Sequence, residues 1–179
     1  MCGCYYYVYD RKTNSYLEEV ISTLSLDSFA QGEINPGEQA LVLIYENGKI
    51  VPCIKRWGFS GIEQKLIYNA RYETYKEKKM FSSLRPCIIV CNGFFEWKKT
   101  KSRSDKIYVE KRNKEVLYLA GLCDDTHFVI LTGKAESWMK KVHSKTPYIL
   151  DEEKMKAYLK HANPLVVDNE DLTFSLANH

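Results

Sequence analysis

The 179-residue chain lacks any apolar run of 18 or more residues, so nothing in it reads as a membrane-spanning helix. It lacks a secretory h-region too, because the apolar stretch from Tyr5 turns polar by Asp10. Both absences point to a soluble, cytoplasmic protein with no membrane partner. There is little net charge: +3 is too small to argue nucleic-acid binding by itself. No internal repeat and no interdomain linker are visible, which excludes solenoids and predicts one domain over residues 1–179. The spacings Cys2-x-Cys4 and Cys87-x3-Cys91 are not the tight Cys-x2-Cys pairs of zinc knuckles, so no metal is expected. In a reducing compartment all six cysteines are expected as thiols.

What is present is an ordinary globular composition, 45% hydrophobic and 27% charged, with thirteen tyrosines that suit β structure. Lysines cluster in three segments around Lys76–Lys79, Lys98–Lys106 and Lys140–Lys145, either as solvated faces or as an anion-binding surface. Ala40–Tyr45, Asn47-Gly48 and Lys49–Trp57 read as a type I′ hairpin. Cys87–Val90 reads as a buried strand, and Phe128–Leu131 as another. Lys106–Lys111 and Val116–Leu122 are predicted to form a second hairpin around residues 112–115. Helices are predicted over 15–24, with Asn14 or Ser15 as cap, over about 73–84, over about 134–142, and over 151–160 with Asp151 as N-cap. Met155, Tyr158 and Leu159 are the inward residues of the last. The tail beyond Asn163 shows no clear element. About seven strands joined mainly by hairpins, with peripheral helices, predict an α+β fold around a mostly antiparallel, barrel-like sheet.

The chemistry begins at Met1-Cys2-Gly3. Methionine aminopeptidase removes Met1 when residue two is small. Cys2 would then carry a free α-amine of pKa about 7.7–8.0 beside its thiol. Such an aminothiol condenses with an aldehyde to an imine, which the sulfur closes to a thiazolidine. Glu96 lies between Phe95 and Trp97, so its carboxyl is a candidate general acid, although strand alternation alone places the aromatics inward and Glu96 in water. His143 could move protons near pH 7. Asn69 could orient a backbone terminus, or simply form a turn. Trp57 could stack on a base, or pack beside Gly58 in the core.

Taken in order, Met1-Cys2-Gly3, Asn35-Pro36, Arg56-Trp57-Gly58, Asn69-Ala70-Arg71 with Glu73-Thr74, Gly93-Phe94-Phe95-Glu96-Trp97, Ala120-Gly121-Leu122, and His143 with Pro147 resemble the SRAP (SOS response-associated peptidase) family of abasic-site DNA–protein crosslinking proteins. The resemblance spans residues 1 to about 150. It implies that Cys2 attacks the ring-opened aldehyde of an abasic site in single-stranded DNA, that Asn69 positions Cys2, and that Glu96 and His143 handle protons. It implies phosphate contacts at Arg71, Lys79 and Lys145, base stacking at Trp57, no cofactor, a monomer, and action in the DNA damage response. Two alternatives stand beside it: an N-terminal-cysteine hydrolase or autopeptidase, and a non-covalent single-stranded DNA-binding module. The chain departs from the family pattern at Cys4, where arginine is usual, at Lys79 and Lys145, which replace arginines, and over the short segment from Phe59 to Tyr68.

Overall fold

The computed structural model describes residues 2–10, 15–61, 63, 65–99, 102–162, 165–166 and 171–177. Strand β1 (Tyr5–Tyr7) buries Tyr5 and Tyr7 and is followed by helix α1 (Ser15–Ile21). Leu17 and Ile21 of α1 are buried, the inward face its apolar spacing predicts. The Asn14 cap candidate lies outside the described residues, as does the side chain of Ser15. After β2 (Gly32–Ile34) comes the hairpin of β3 (Gln39–Glu46) and β4 (Lys49–Trp57). Its register runs from Glu46↔Lys49 to Gln39↔Arg56. Asn47 at φ 50° and Gly48 at φ 80° supply the two left-handed residues that a type I′ turn requires. β5 (Phe59–Ser60) pairs with β6 (Leu66–Ile67), and β7 (Asn69–Arg71) follows.

The segment predicted as a helix over 73–84 is instead two 3-10 turns, Tyr75–Glu77 and Lys79–Phe81. Its polar composition offers one buried apolar anchor, Phe81, too little to hold a longer helix. Beyond it lie β8 (Arg85–Cys91), β9 (Gly93–Lys99), β10 (Ser104–Lys111), β11 (Leu117–Cys123) and β12 (His127–Lys134). The predicted helix over 134–142 reduces to a 3-10 turn, Ser137–Lys141, because β12 runs through Lys134. β13 (Lys145–Pro147) and β14 (Ile149–Leu150) precede helix α2 (Glu152–His161). Asp151 caps α2 by accepting from the Lys154 N–H at 2.7 Å, and Met155, Tyr158 and Leu159 are its buried residues.

The tail supplies one more strand, β15 (Leu172–Leu176), antiparallel to β10. One sheet has the order β15-β10-β9-β1-β2. In the other, β12-β4-β3-β8-β11 close into a ring because β11 pairs back onto β12. Gly121 permits the closure: a Cβ there would stand 2.7 Å from the Val129 carbonyl oxygen. The second predicted hairpin does not exist, since β10 joins the first sheet and β11 the ring. All pairings are antiparallel except β12 with β4 and with β7. The core fills the ring and the space between the sheets, with Trp57, Phe94, Phe128, Ile88 and Leu43 fully buried. Among the described residues no helix is long and apolar enough to cross a membrane.

Candidate functional site

β1 is gripped on both edges, by β2 and by β9, so the start of the chain is a central strand rather than a loose end. The Phe95 N–H donates to the Cys4 carbonyl at 2.9 Å and the Asn92 N–H to the Tyr6 carbonyl at 2.8 Å. Cys2 is fully buried at the end of this run. β7 pairs parallel to β12, Asn69 opposite Ile130. From there the Asn69 Nδ2 donates to the Cys2 carbonyl at 2.8 Å. That donation fixes the orientation of the amide. Among the described residues the buried Oδ1 has no hydrogen-bond partner.

Glu96 departs from simple strand alternation of the kind that put Phe95 and Trp97 inward. It is 1% exposed, while Trp97 is 37% exposed. Phe94 and Glu96 share the inner face of β9, and Phe95 is covered on the outer face by Tyr108, at 5.0 Å between ring centroids. Burial raises the Glu96 pKa. Burial also holds the Cys2 thiol well above its usual pKa, and the charge of Glu96 adds to the effect, which places the two side chains in one electrostatic neighbourhood. The Cys2 Sγ donates to the Cys4 carbonyl at 3.7 Å.

His143 follows the 3-10 turn and donates its backbone N–H to the Met139 carbonyl at 2.9 Å. Its Nδ1 lies 3.1 Å from the Lys145 backbone nitrogen and 3.2 Å from the Lys145 carbonyl oxygen, placed to accept from the first or, when protonated, to donate to the second. Partial burial lowers the His143 pKa, and the charges of Lys145 and Lys99 act in the same direction. At neutral pH the imidazole is therefore unprotonated and able to take a proton.

Arg71 at the exposed end of β7 and Lys145 on β13 flank the same strand, β12. Desolvation lowers the Lys145 pKa, and the charges of Arg71 and Lys78 lower it further while Glu73 opposes them. Lys79 is exposed on the neighbouring turn, but it is Lys78 whose charge bears on Lys145. Sequence reasoning missed Lys78 and Lys99; both lie in the lysine-rich segments, which marked the region without ranking its members. Trp57 is a core residue rather than an exposed platform. It is fully buried, stacks on Phe128 at 6.2 Å and 6°, and donates its Nε1–H to the Tyr68 carbonyl at 2.8 Å. The stacking role expected for it has no open ring face, because Phe128, Tyr5 and Tyr68 close around it. Among the described residues no group of three His, Cys, Asp or Glu side chains could hold a metal. All six cysteines are free thiols.

The chain matches the sequence model of the SOS response associated peptidase (SRAP) family over residues 1–176. It is 26% identical over 175 residues to the abasic site processing protein YobE of Bacillus subtilis, covering 83% of this chain and 80% of that one. It is 23% identical over 158 residues to the abasic site processing protein YedK of Escherichia coli, covering 80% and 71%. A 26% match over 149 residues to the abasic site processing protein YMR114C of Saccharomyces cerevisiae covers 72% of this chain but 39% of that one, which is much longer. In three dimensions a crystal structure from Bordetella bronchiseptica superposes with a TM-score of 0.83 at 15% identity, over 99% of this chain and 100% of that one. With nearly its whole length matched, the chain belongs to the SRAP family.

Proposed function

We propose that this protein, once Met1 is removed, captures abasic sites in single-stranded DNA as a covalent thiazolidine on Cys2. The α-amine of Cys2 adds to the ring-opened sugar aldehyde to give a carbinolamine. Loss of water gives an imine, and the thiol adds across it, its proton passing to the nitrogen. One water leaves per crosslink. Glu96, held toward its protonated form by burial, donates to the departing hydroxyl. His143, neutral at pH 7, accepts the proton that the attacking amine sheds. Arg71, Lys78 and Lys145 form the cationic approach for the phosphates. The observation that carries this reading is the 2.8 Å bond from Asn69 to the Cys2 carbonyl, which ties the reactive residue to a second strand beside a buried carboxyl.

The test is a denaturing gel of chain with verified Met1 removal, incubated with an oligonucleotide carrying one abasic site. An SDS-resistant adduct is expected from the native protein and none from Cys2→Ala. No adduct from the processed native chain would end the proposal. In the hydrolase alternative the same thiol attacks an amide with the α-amine as base, and loss of Met1 when the unprocessed chain is incubated alone would favour it. A second reading is favoured by the complete burial of Cys2: non-covalent binding of single-stranded DNA. It expects affinity that falls with salt and is indifferent to Cys2→Ala, with no covalent band.

A further inference from the structure

A groove of ≈ 570 Å³ lies between α1, the tip of the β3–β4 hairpin and α2. It sits beside Lys49 at the hairpin tip, whereas Trp57 at the other end of β4 is the end that contacts Tyr68, the residue before Asn69. Eight residue steps along β4, roughly 26 Å, separate the two. The floor is aliphatic, built from Val20, Ile50, Val51 and Pro52, and the rim carries Lys49, Lys156 and Lys160 against one acid, Glu19.

Two features narrow what the groove fits. Tyr16 and Tyr45 stand in its walls, but their ring faces are occupied: Lys156 Nζ lies 4.1 Å from the Tyr16 centroid and Lys160 Nζ 5.8 Å from that of Tyr45. Nucleobases therefore find aliphatic walls and covered rings rather than a stacking platform. The strand edge is blunted as well. In a hairpin closed by a two-residue turn, alternate residues of β4, namely Ile50, Pro52, Ile54 and Arg56, aim their backbone groups away from β3. The Arg56 N–H accordingly reaches Thr126, and β12 pairs with β4 only at Arg56 and Trp57. Pro52, at the middle of the remaining edge, has no N–H to give, so a visiting strand cannot add by backbone pairing. An occupant is recognised by its side chains, apolar groups on the floor and negative charge on the rim.

We propose that this groove docks a short acidic peptide segment of a partner protein, seating one or two large apolar side chains on the Val20–Ile50–Pro52 floor and its carboxylates on Lys49 and Lys160. Lys156 is already paired to Glu152 at 2.6 Å and serves mainly to hold Tyr16 in place. The site is remote from Cys2, so a partner could be held while the other end of the molecule engages DNA.

Fluorescence anisotropy of the full chain with a labelled peptide of three aspartates followed by leucine and phenylalanine tests this. Saturable binding is expected, abolished when the aspartates become asparagines or the apolar pair becomes serines. The exposed double variant Lys49→Glu, Lys160→Glu should weaken it on the order of tenfold, two exposed ion pairs being lost and reversed. Val20→Asp should weaken it by a similar factor. Unchanged circular dichroism would show that both variants fold. Abasic-site crosslinking by the lysine variant should equal that of the native chain, which keeps this test separate from that of the catalytic reading. Absence of peptide binding, binding unaffected by the lysine reversals, or displacement of the peptide by oligothymidylate or oleate would overturn the proposal.

Discussion

At the scale of single residues, Asn69 and Glu96 each make a separable prediction. Asn69→Ala removes the donor to the Cys2 carbonyl and leaves that oxygen buried. A cost of about 1 kcal/mol is expected, with crosslinking slowed by about tenfold or more as the terminal residue loses its fixed position. Asn69→Asp keeps the shape but cannot donate, so it should do no better than alanine in the same rate assay. For Glu96 the sign follows from its raised pKa. The folded chain holds a proton that the unfolded chain has released, over the window from the ordinary carboxylate pKa up to the folded value. Stability from this group is complete below that window and lost as pH rises through it. Glu96→Gln stays neutral throughout, so its thermal midpoint should gain on that of the native protein as pH rises above the ordinary carboxylate range, from about pH 4 upward. A parallel pair of melting curves across that range would refute the buried-acid assignment. Glu96 also shows why the site was only half legible. The motif named the residue, but alternation put it in water, because Phe95 is packed on the outer face by Tyr108, a cross-strand neighbour that linear order does not reveal.

At the scale of elements, the sequence was most readable where local chemistry is self-sufficient. Asn47-Gly48 dictated its turn, and Asp151 its helix start. Asp151→Ala should therefore lower the thermal midpoint by about 2–4 °C, the loss of one cap worth about 1 kcal/mol in a domain of this size; differential scanning calorimetry measures it. Elements defined by partners were not readable. Residues 106–111 and 116–122 look like a hairpin because both are strands with a turn between them. Whether they pair is settled by β9 and β8, each of which offers a seven-residue register to one of them. β15 escaped notice for a related reason. Its exposed Phe174 and Leu176 give no inward alternation, and it is a strand because the edge of β10 is there to receive it. The 3-10 turns at Lys79–Phe81 and Ser137–Lys141 sit where helices were predicted, but each buries a single side chain.

For the whole molecule, a net charge of +3 hides an uneven field. Desolvation disfavours the Lys145 ammonium first and the charges of Arg71 and Lys78 add to it, a cost that a bound anion would relieve. At the opposite end, Lys49 and Lys160 border an aliphatic groove. Two basic regions with different neighbours should have different ligands, and salt dependence distinguishes them. Each phosphate neutralised on single-stranded DNA contributes about −0.7 to the slope of log affinity against log salt. Lys78→Ala is therefore expected to make that slope shallower by about 0.7 for an undamaged single-stranded oligonucleotide, and Arg71→Ala by as much again, while Lys160→Ala leaves it unchanged. Titrations at several salt concentrations provide the slopes without any covalent step, because undamaged DNA presents no aldehyde. A shallower slope in the Lys160 variant would mean that DNA wraps around to the hairpin tip. A slope unmoved by Lys78→Ala would remove that lysine from the phosphate path.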